Sequence, residues 1–562
     1  MAVGVTLFIA TMDQSPADHV AQASGSGVQG PFRASPVGPS VIDPRVAPAP
    51  AVAPGPPLER LHPGGKPELD RAKASASVVD PAAASQVSGP STATLGVGFD
   101  AISSGQSSCG CYPPDGADAA GPNHLLAAVN TAYSIWDKTG HIAAGYPKSL
   151  GVLLTGNGCL SNISDPFAEY DAAAGRFVLG ALTYDSSYNS SICIAVSRTG
   201  DPTGSWNVYG FAVSPANDLL DFPHAAIGSD AIYVTGNEYQ DGRTYIGARV
   251  VAYDKAQMYA GQVAGSVAYE VGNDATGGPA DTLMPSRGVT AANTMYFLSA
   301  DNAGCPCSTV SVWKWTNPFA ATAFTLSGGA GVTTYNQPPD AVQPNGARYG
   351  AIATNDAGNL AAYWSGGTLY GAHTIAYNPG AGTVAAIQWY QVNGIDSTPS
   401  LAQQGVIAAN GQYRIYPSLA VDQSGDMTIG YAESSSSEYA GIRASGRLAG
   451  DALGSLQAET TLKVGQISVN GGRYGDYAAT VVDPDGCTVW HFEEYARSGS
   501  LWGSWLGSAR FAQCAGTVSP SPTATSSPAA TSTPTATATS GGPTATATPT
   551  SCPPGWRKRG LC

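Results

Sequence analysis

From residue 93 to residue 515 the chain is a succession of short apolar runs cut by Asp, Asn, Gly and Pro. The clearest unit is Tyr416-Pro-Ser-Leu-Ala-Val-Asp422-Gln-Ser-Gly425-Asp-Met-Thr-Ile-Gly-Tyr431. An apolar run too short for a helix, a turn built on Asp and Gly, and a second run ending in an aromatic residue predict a β-hairpin. A second copy runs Arg348-Tyr-Gly-Ala-Ile-Ala-Thr-Asn-Asp356-Ala-Gly358-Asn-Leu-Ala-Ala-Tyr-Trp364. A third runs Arg473-Tyr-Gly-Asp476-Tyr-Ala-Ala-Thr-Val-Val-Asp483-Pro-Asp-Gly486-Cys-Thr-Val-Trp490. Weaker copies stand at Gly121-Pro-Asn123, from Asp165 through Asp171 to Gly175, from Phe222 to Asp230, and from Arg287 to Asn293.

Seven such hairpins, each followed by enough chain for two more strands, predict an all-β fold. The expectation is a seven-bladed β-propeller of four-stranded sheets over residues 93–515, with six or eight blades as alternatives. Radial repetition protects strand edges that an open sheet would expose. A two-sheet sandwich array would account for the strands, but not for one hairpin signature recurring at blade spacing.

In a propeller, the loop into the first strand of each hairpin and the loop out of the second share one mouth of the central channel. The Asp/Gly turns lie at the other end, so their aspartates read first as turn residues and only then as calcium ligands. The positions leading into the hairpins are Asp115, Asp165, Asp221, Arg287, Arg348, Tyr349, Tyr416, Arg473 and Asp476. At a matched distance beyond the turns stand Glu238, Asp301, Glu433 and Glu494, with Glu493 beside the last. Together with Tyr239, Trp364 and Tyr495 they predict a negative, aromatic mouth suited to sugars or cations. If two of Glu238, Glu433, Glu493 and Glu494 converge, they are candidate catalytic acids for glycoside cleavage. The plainer reading is that strand ends are polar because water reaches them. A cluster of Arg287, Arg348 and Arg473 would clamp a carboxylate as the arginines of sialidases do, although those have six blades and the full Ser-x-Asp-x-Gly-x-x-x-Trp motif is missing here.

Composition narrows the classes. Only 12% of residues are charged, with 69 Gly and 41 Pro among 562 residues and 43% hydrophobic residues, which fits a turn-rich β domain rather than a helical enzyme. The net charge of -14 argues against a nucleic-acid or anionic-membrane partner, and the basic run Arg557-Lys558-Arg559 reads as a solvated tail. The 10 cysteines fall into the near neighbours Cys109 and Cys111, Cys159 and Cys193, Cys305 and Cys307, Cys487 and Cys514, and Cys552 and Cys562. That pattern predicts disulfides and an oxidising compartment rather than a metal site. The remaining motifs are negative: no His-Glu-x-x-His, no Gly-x-Ser-x-Gly and no phosphate-binding glycine loop. His124, His224 and His491 read as structural.

The flanks differ in composition. Residues 1–92 read as a signal-peptide-like start, Ala2 to Ala10 without a preceding cation, and then a disordered Pro/Ala/Ser-rich leader exemplified by Val46 to Pro57. Residues 516–551 are a Thr/Pro/Ser-rich low-complexity linker, and 552–562 form a short Cys-bounded tail. No run reaches the roughly 18 apolar residues of a membrane helix.

The hairpins resemble those of NHL and related propeller repeats, in which a Pro-initiated inner strand leads through an Asp-x-x-Gly turn. Through Pro113-Pro-Asp115, Gly121-Pro-Asn-His124, Ser164-Asp-Pro166, Asp201-Pro-Thr-Gly204 and Arg473-Tyr-Gly-Asp476, the central region also looks like a group of secreted bacterial proteins of poorly characterised function. The resemblance implies fold and location and supplies no catalytic residues. The expectation is a secreted, monomeric propeller without a cofactor that binds a glycan or other hydroxyl-rich extracellular ligand. The alternatives are a glycoside hydrolase or lyase and a non-catalytic scaffold or adhesion protein.

Overall fold

The computed structural model describes residues 27–47, 65–75 and 89–514, apart from 214–216, 289–292, 303, 321–322 and 471. The segment Ala2 to Ala10, most of Val46 to Pro57, the linker 516–551, the run Arg557 to Arg559 and the pair Cys552 and Cys562 lie outside the described residues. The chain divides into two units, Met1–Ser519 and Pro520–Cys562.

Seven antiparallel sheets form blades 1 to 7 in chain order. Their inner strands are Ala117–Ala120, Asn162–Asp171, Asp218–Ile227, Met284–Pro285, Asn359–Ser365, Gln412–Val421 and Ala479–Val482. Each inner strand packs against the next and the seventh against the first, so the ring closes with seven blades. Ala93–Ser103, at the start of the ring, pairs as the outer strand of blade 7 alongside Gly503–Phe511.

Strands rich in Val, Ile, Tyr and Trp are buried on both faces because each blade is covered by its neighbours. Ser190–Ser197, the third strand of blade 2, is buried at every position. The core is therefore a set of apolar layers between blades. Tyr209, Phe211, Val251 and Tyr253 belong to the layer between blades 2 and 3. Trp313, Trp315 and Phe324 lie with Tyr233 and Tyr269 between blades 3 and 4. Among the described residues, four disulfides join Cys109 to Cys111, Cys159 to Cys193, Cys305 to Cys307 and Cys487 to Cys514.

Where the leader is described, it is ordered. Val28–Arg33 adds a fifth strand to blade 3 and Ser40–Ile42 a fifth strand to blade 2, while Lys66–Ser75 is a helix. The segment Val-Gln-Gly-Pro-Phe-Arg shows no alternation. Its order comes from the backbone edge of Ser266–Val271 that it covers, not from its own side-chain pattern.

Between blades 6 and 7 one apolar cluster is small, Ile442, Tyr495 and Trp505 with Leu462 against them. A buried polar chain lies in the same seam: Thr480 Oγ1 lies 2.9 Å from His491 Nδ1, and His491 Nε2 lies 2.9 Å from Glu493 Oε2. Burial pushes His491 down to about 3, so its ring is neutral and one nitrogen accepts while the other donates. Gly430 of blade 6 makes room for this ring, since a Cβ there would lie 2.3 Å from it. Gly430→Ala is expected to wedge the seam and lower stability by about 1–3 kcal/mol. A melting temperature equal to that of the parent chain would show that the seam has slack.

Candidate functional site

Six of the seven blades carry a left-handed, non-glycine residue at or near the start of the inner strand. These are Asp115 (φ 48°), Asp165 (56°), Phe222 (56°), Thr282 (48°), Asn355 (51°) and Tyr416 (54°). Proline follows in blades 2, 3 and 6, and the pairing register slips there, between Ser164 and Pro166, Asp221 and His224, and Ile415 and Ser418. The strands therefore open on a bulge that turns the chain toward the axis. Such a conformation costs on the order of 1–3 kcal/mol and persists only where neighbours fix it. Here the preceding blade does so: Asn130 Oδ1 accepts from the Asp165 amide at 2.8 Å, Asn237 Oδ1 from Thr282 at 2.9 Å, and Thr374 Oγ1 from Tyr416 at 3.3 Å.

The bulges gather a buried polar cluster at this inlet end. Asp115 accepts the Asp476 amide at 2.9 Å and the Asn130 side chain at 2.7 Å. Asp165 accepts from Tyr477 Oη at 2.9 Å and Ser164 Oγ at 2.5 Å. Asp476 accepts from Asn355 Nδ2 at 2.6 Å and from the Arg473 guanidinium. Burial, then the Asp476 and Asp165 charges, push Asp115 well above the usual carboxylate range, and burial raises Asp165. Arg473 opposes both shifts. Glu494, also raised by burial, bears on the same group.

The candidate ligand residues thus divide. Asp165, Arg473 and Asp476 meet, and Asp221 and Tyr416 stand beside them: Asp221 acts on Tyr477, while Tyr416 lines the channel and donates to the Ala353 carbonyl at 2.7 Å. Arg287 does not join them. It follows the inner strand Met284–Pro285 and lies at the turn end, where its Nε contacts Glu169 Oε1 at 2.8 Å. Trp364 is there too, its amide donating to the Arg287 carbonyl at 2.6 Å. Arg348 and Tyr349 sit on a short helix, Gly346–Tyr349, in the connection between blades 4 and 5, with Arg348 exposed. The three arginines therefore form no clamp.

The carboxylates beyond the turns occupy matched strand ends but do not form one funnel. Side chains of a second strand point into the seams between blades, because only the inner strand faces the axis. Glu238 is 2.6 Å from Arg249 Nε. Glu433 is 2.7 Å from Arg443 Nε and 3.7 Å from Arg414 Nη2, yet burial pushes it up to about 7. Glu493 contacts His491, and burial also raises it. Asp301 lies by the Cys305 to Cys307 turn, its carbonyl accepting from Tyr335 Oη at 2.6 Å.

The channel, lined by residues of all seven blades, encloses about 60 Å³, room for a few waters. At the turn end, past Arg287, lies a pocket of about 290 Å³, close to the smallest ligand sites. Ala119, Ala120, Glu169, Tyr170, Arg287 and Tyr363 line it, with Asp171 and Asp483 on its wall. The turn aspartates also tie blades together. Asp171 accepts from Lys255 Nζ of blade 3 at 2.8 Å and Tyr259 Oη at 3.0 Å; Asp483 accepts from Lys138 of blade 1 and from Trp490 Nε1 at 2.9 Å. Asp422 binds the Ser424 and Asp426 amides at 2.8 and 3.0 Å. Among the described residues, no group of three or more His, Cys, Asp or Glu is arranged to hold a metal ion, and no helix is long and apolar enough to cross a membrane.

No protein-family model and no curated protein matches the chain. Three solved structures illustrate the likenesses found. One is a protein of unknown function from Dyadobacter fermentans, at 11% identity and TM-score 0.38, covering 62% of this chain and 94% of that one. Another is the NanB sialidase from Streptococcus pneumoniae, at 9% identity and TM-score 0.33, covering 68% and 83%. The third is an exo-1,5-α-L-arabinanase from a bovine ruminal metagenomic library, at 14% identity and TM-score 0.30, covering 52% and 97%. The propeller architecture rests on the chain's own strand order.

Proposed function

We propose that the chain is an exported, disulfide-braced binding module that holds a unit of a hydroxyl-rich polymer, a glycan, in the turn-end pocket. One observation carries this reading: among the described residues a pocket of about 290 Å³ opens at the turn end, where the channel encloses about 60 Å³. The lining suits a sugar. Tyr170 and Tyr363 put aromatic rings on its wall, and Glu169, Asp171, Asp483 and Arg287 put hydrogen-bonding groups beside them. Four disulfides fit an oxidising compartment, and hairpins of the NHL-like kind with a Thr/Pro linker fit a displayed module. The geometry does not favour hydrolysis by Glu238 or Glu433, because each is buried against arginine in a separate blade.

The test is a glycan array probed with the full chain and with Tyr170→Ala, followed by titration of the best hit. Loss of one stacking face is expected to weaken binding roughly tenfold. Absence of any hit, or equal binding by the variant, overturns the pocket reading and leaves a scaffold.

A further inference from the structure

Among the described residues, every charged side chain on the wall of the turn-end pocket has an opposite charge beside it. Those on the wall are Glu169, Asp171, Asp483 and Arg287. Glu169 and Arg287 pair with each other at 2.8 Å, Asp171 pairs with Lys255 at 2.8 Å, and Asp483 pairs with Lys138. Each pair joins two blades: 2 with 4, 2 with 3, and 7 with 1. The six side chains are between 3% and 23% exposed, so they are screened only in part by water. Further bonds fix two of the carboxylates: Tyr259 Oη donates to Asp171 at 3.0 Å and Trp490 Nε1 to Asp483 at 2.9 Å. Arg176, at the same end but off the wall, donates to the Ala174 and Gly175 carbonyls of its own turn.

A charged ligand that enters such a wall gives up hydration and meets counter-charges that are already taken. A uronate could claim Arg287 only by leaving Glu169 half-buried and unpaired. An ammonium could claim a carboxylate only by displacing its arginine or lysine. Leaving one partner of a buried pair without the other costs more than the pair itself is worth. A hydroxyl asks for neither exchange, because a paired carboxylate keeps lone pairs that accept and a paired guanidinium keeps N–H groups that donate. We infer that the pocket selects uncharged sugar units and rejects both uronic acids and amino sugars with a free ammonium. The paired charges supply the rejection, as unpaired ones would supply attraction. This rests on the glycan reading and narrows it to one class.

The experiment scores a glycan array, probed with the full chain, by charge class: neutral, uronate-bearing and bearing free amines. Calorimetric titration follows, near neutral pH and at physiological salt, with the leading neutral glycan and with galacturonate and glucosamine tetramers. Neutral glycans are expected to bind the parent at least about tenfold more tightly than either charged class. Asp483→Asn, which bares Lys138, is expected to strengthen the galacturonate tetramer about fivefold. Lys138→Met, which bares Asp483, is expected to do the same for the glucosamine tetramer. Asp171→Asn and Lys255→Met repeat the comparison on a second pair should the first variants not fold. A charged class that binds the parent as well as the neutral one overturns the inference and leaves the glycan reading standing. No binding by any class overturns that reading too. A neutral preference unchanged in the variants assigns the selection to shape and overturns the role of the ion pairs.

Discussion

Arg473→Met will destabilise the protein by about 3 kcal/mol near neutral pH and by much less near pH 4. The guanidinium is bonded to Asp476 and opposes the rise in pKa of Asp115 and Asp165, which are 1% and 6% exposed. Without it, these carboxylates face one another in a medium that screens poorly. Both aspartates already hold their protons to higher pH in the folded chain than in the unfolded chain. Such groups favour the folded state below their unfolded pKa, and the advantage is lost as pH rises through the folded value. Removing Arg473 raises the folded values further, so the loss must grow with pH. Melting curves of parent and variant at pH 4, 5.5 and 7.5 decide the matter. A gap that stays constant with pH would mean that Arg473 acts only by packing.

That cluster was partly legible in the sequence. Asp115 and Asp476 stand just ahead of their inner strands and Asp165 near the start of its own, and strand starts in a propeller must share a mouth. The companions Asn130, Asn355 and Tyr477 were not legible, because they arrive from other blades or from the far side of a bulge. Pro166, Pro223 and Pro417, each directly after a left-handed residue, are the sequence trace of those bulges. The pocket itself left no trace. Glu169 and Asp171 read only as the end of a strand and the start of a turn, and Arg287 was displaced by one loop. Its strand, Met284–Pro285, is two residues long and has no apolar run to announce it.

The blade count survived one slip in phase. In the unit from Arg348 to Trp364, the Asp356-Ala-Gly358 turn precedes the inner strand Asn359–Ser365, and the hairpin turns instead at Gly366 and Gly367. Asp followed two residues later by Gly makes a tight turn at either end of a blade, so the motif says where the chain reverses and not which end it has reached. The strand pattern is local and readable. Which side chains reach the axis depends on how neighbouring blades meet.

Closure of the ring is the feature on which everything else stands, and it predicts the largest effect. Removing residues 1–103 will abolish the cooperative fold, a loss comparable to the whole stability of about 5–15 kcal/mol, whereas removing residues 1–47 will leave a folded propeller. The first deletion takes Ala93–Ser103 from blade 7 and bares the edge of Gly503–Phe511. It also removes buried Ile102, the contact of Phe99 with Trp136 of blade 1 at 5.5 Å, and Asp100, which accepts from Tyr495 Oη at 3.0 Å and pairs with Lys463 of blade 6. Three blades lose a tie at once. The second deletion takes only the fifth strands of blades 2 and 3, each of which keeps four strands. Circular dichroism melts of the two truncated chains separate the cases. A sharp transition in the chain that starts at residue 104 would show that seven blades hold their ring without the strand that closes it.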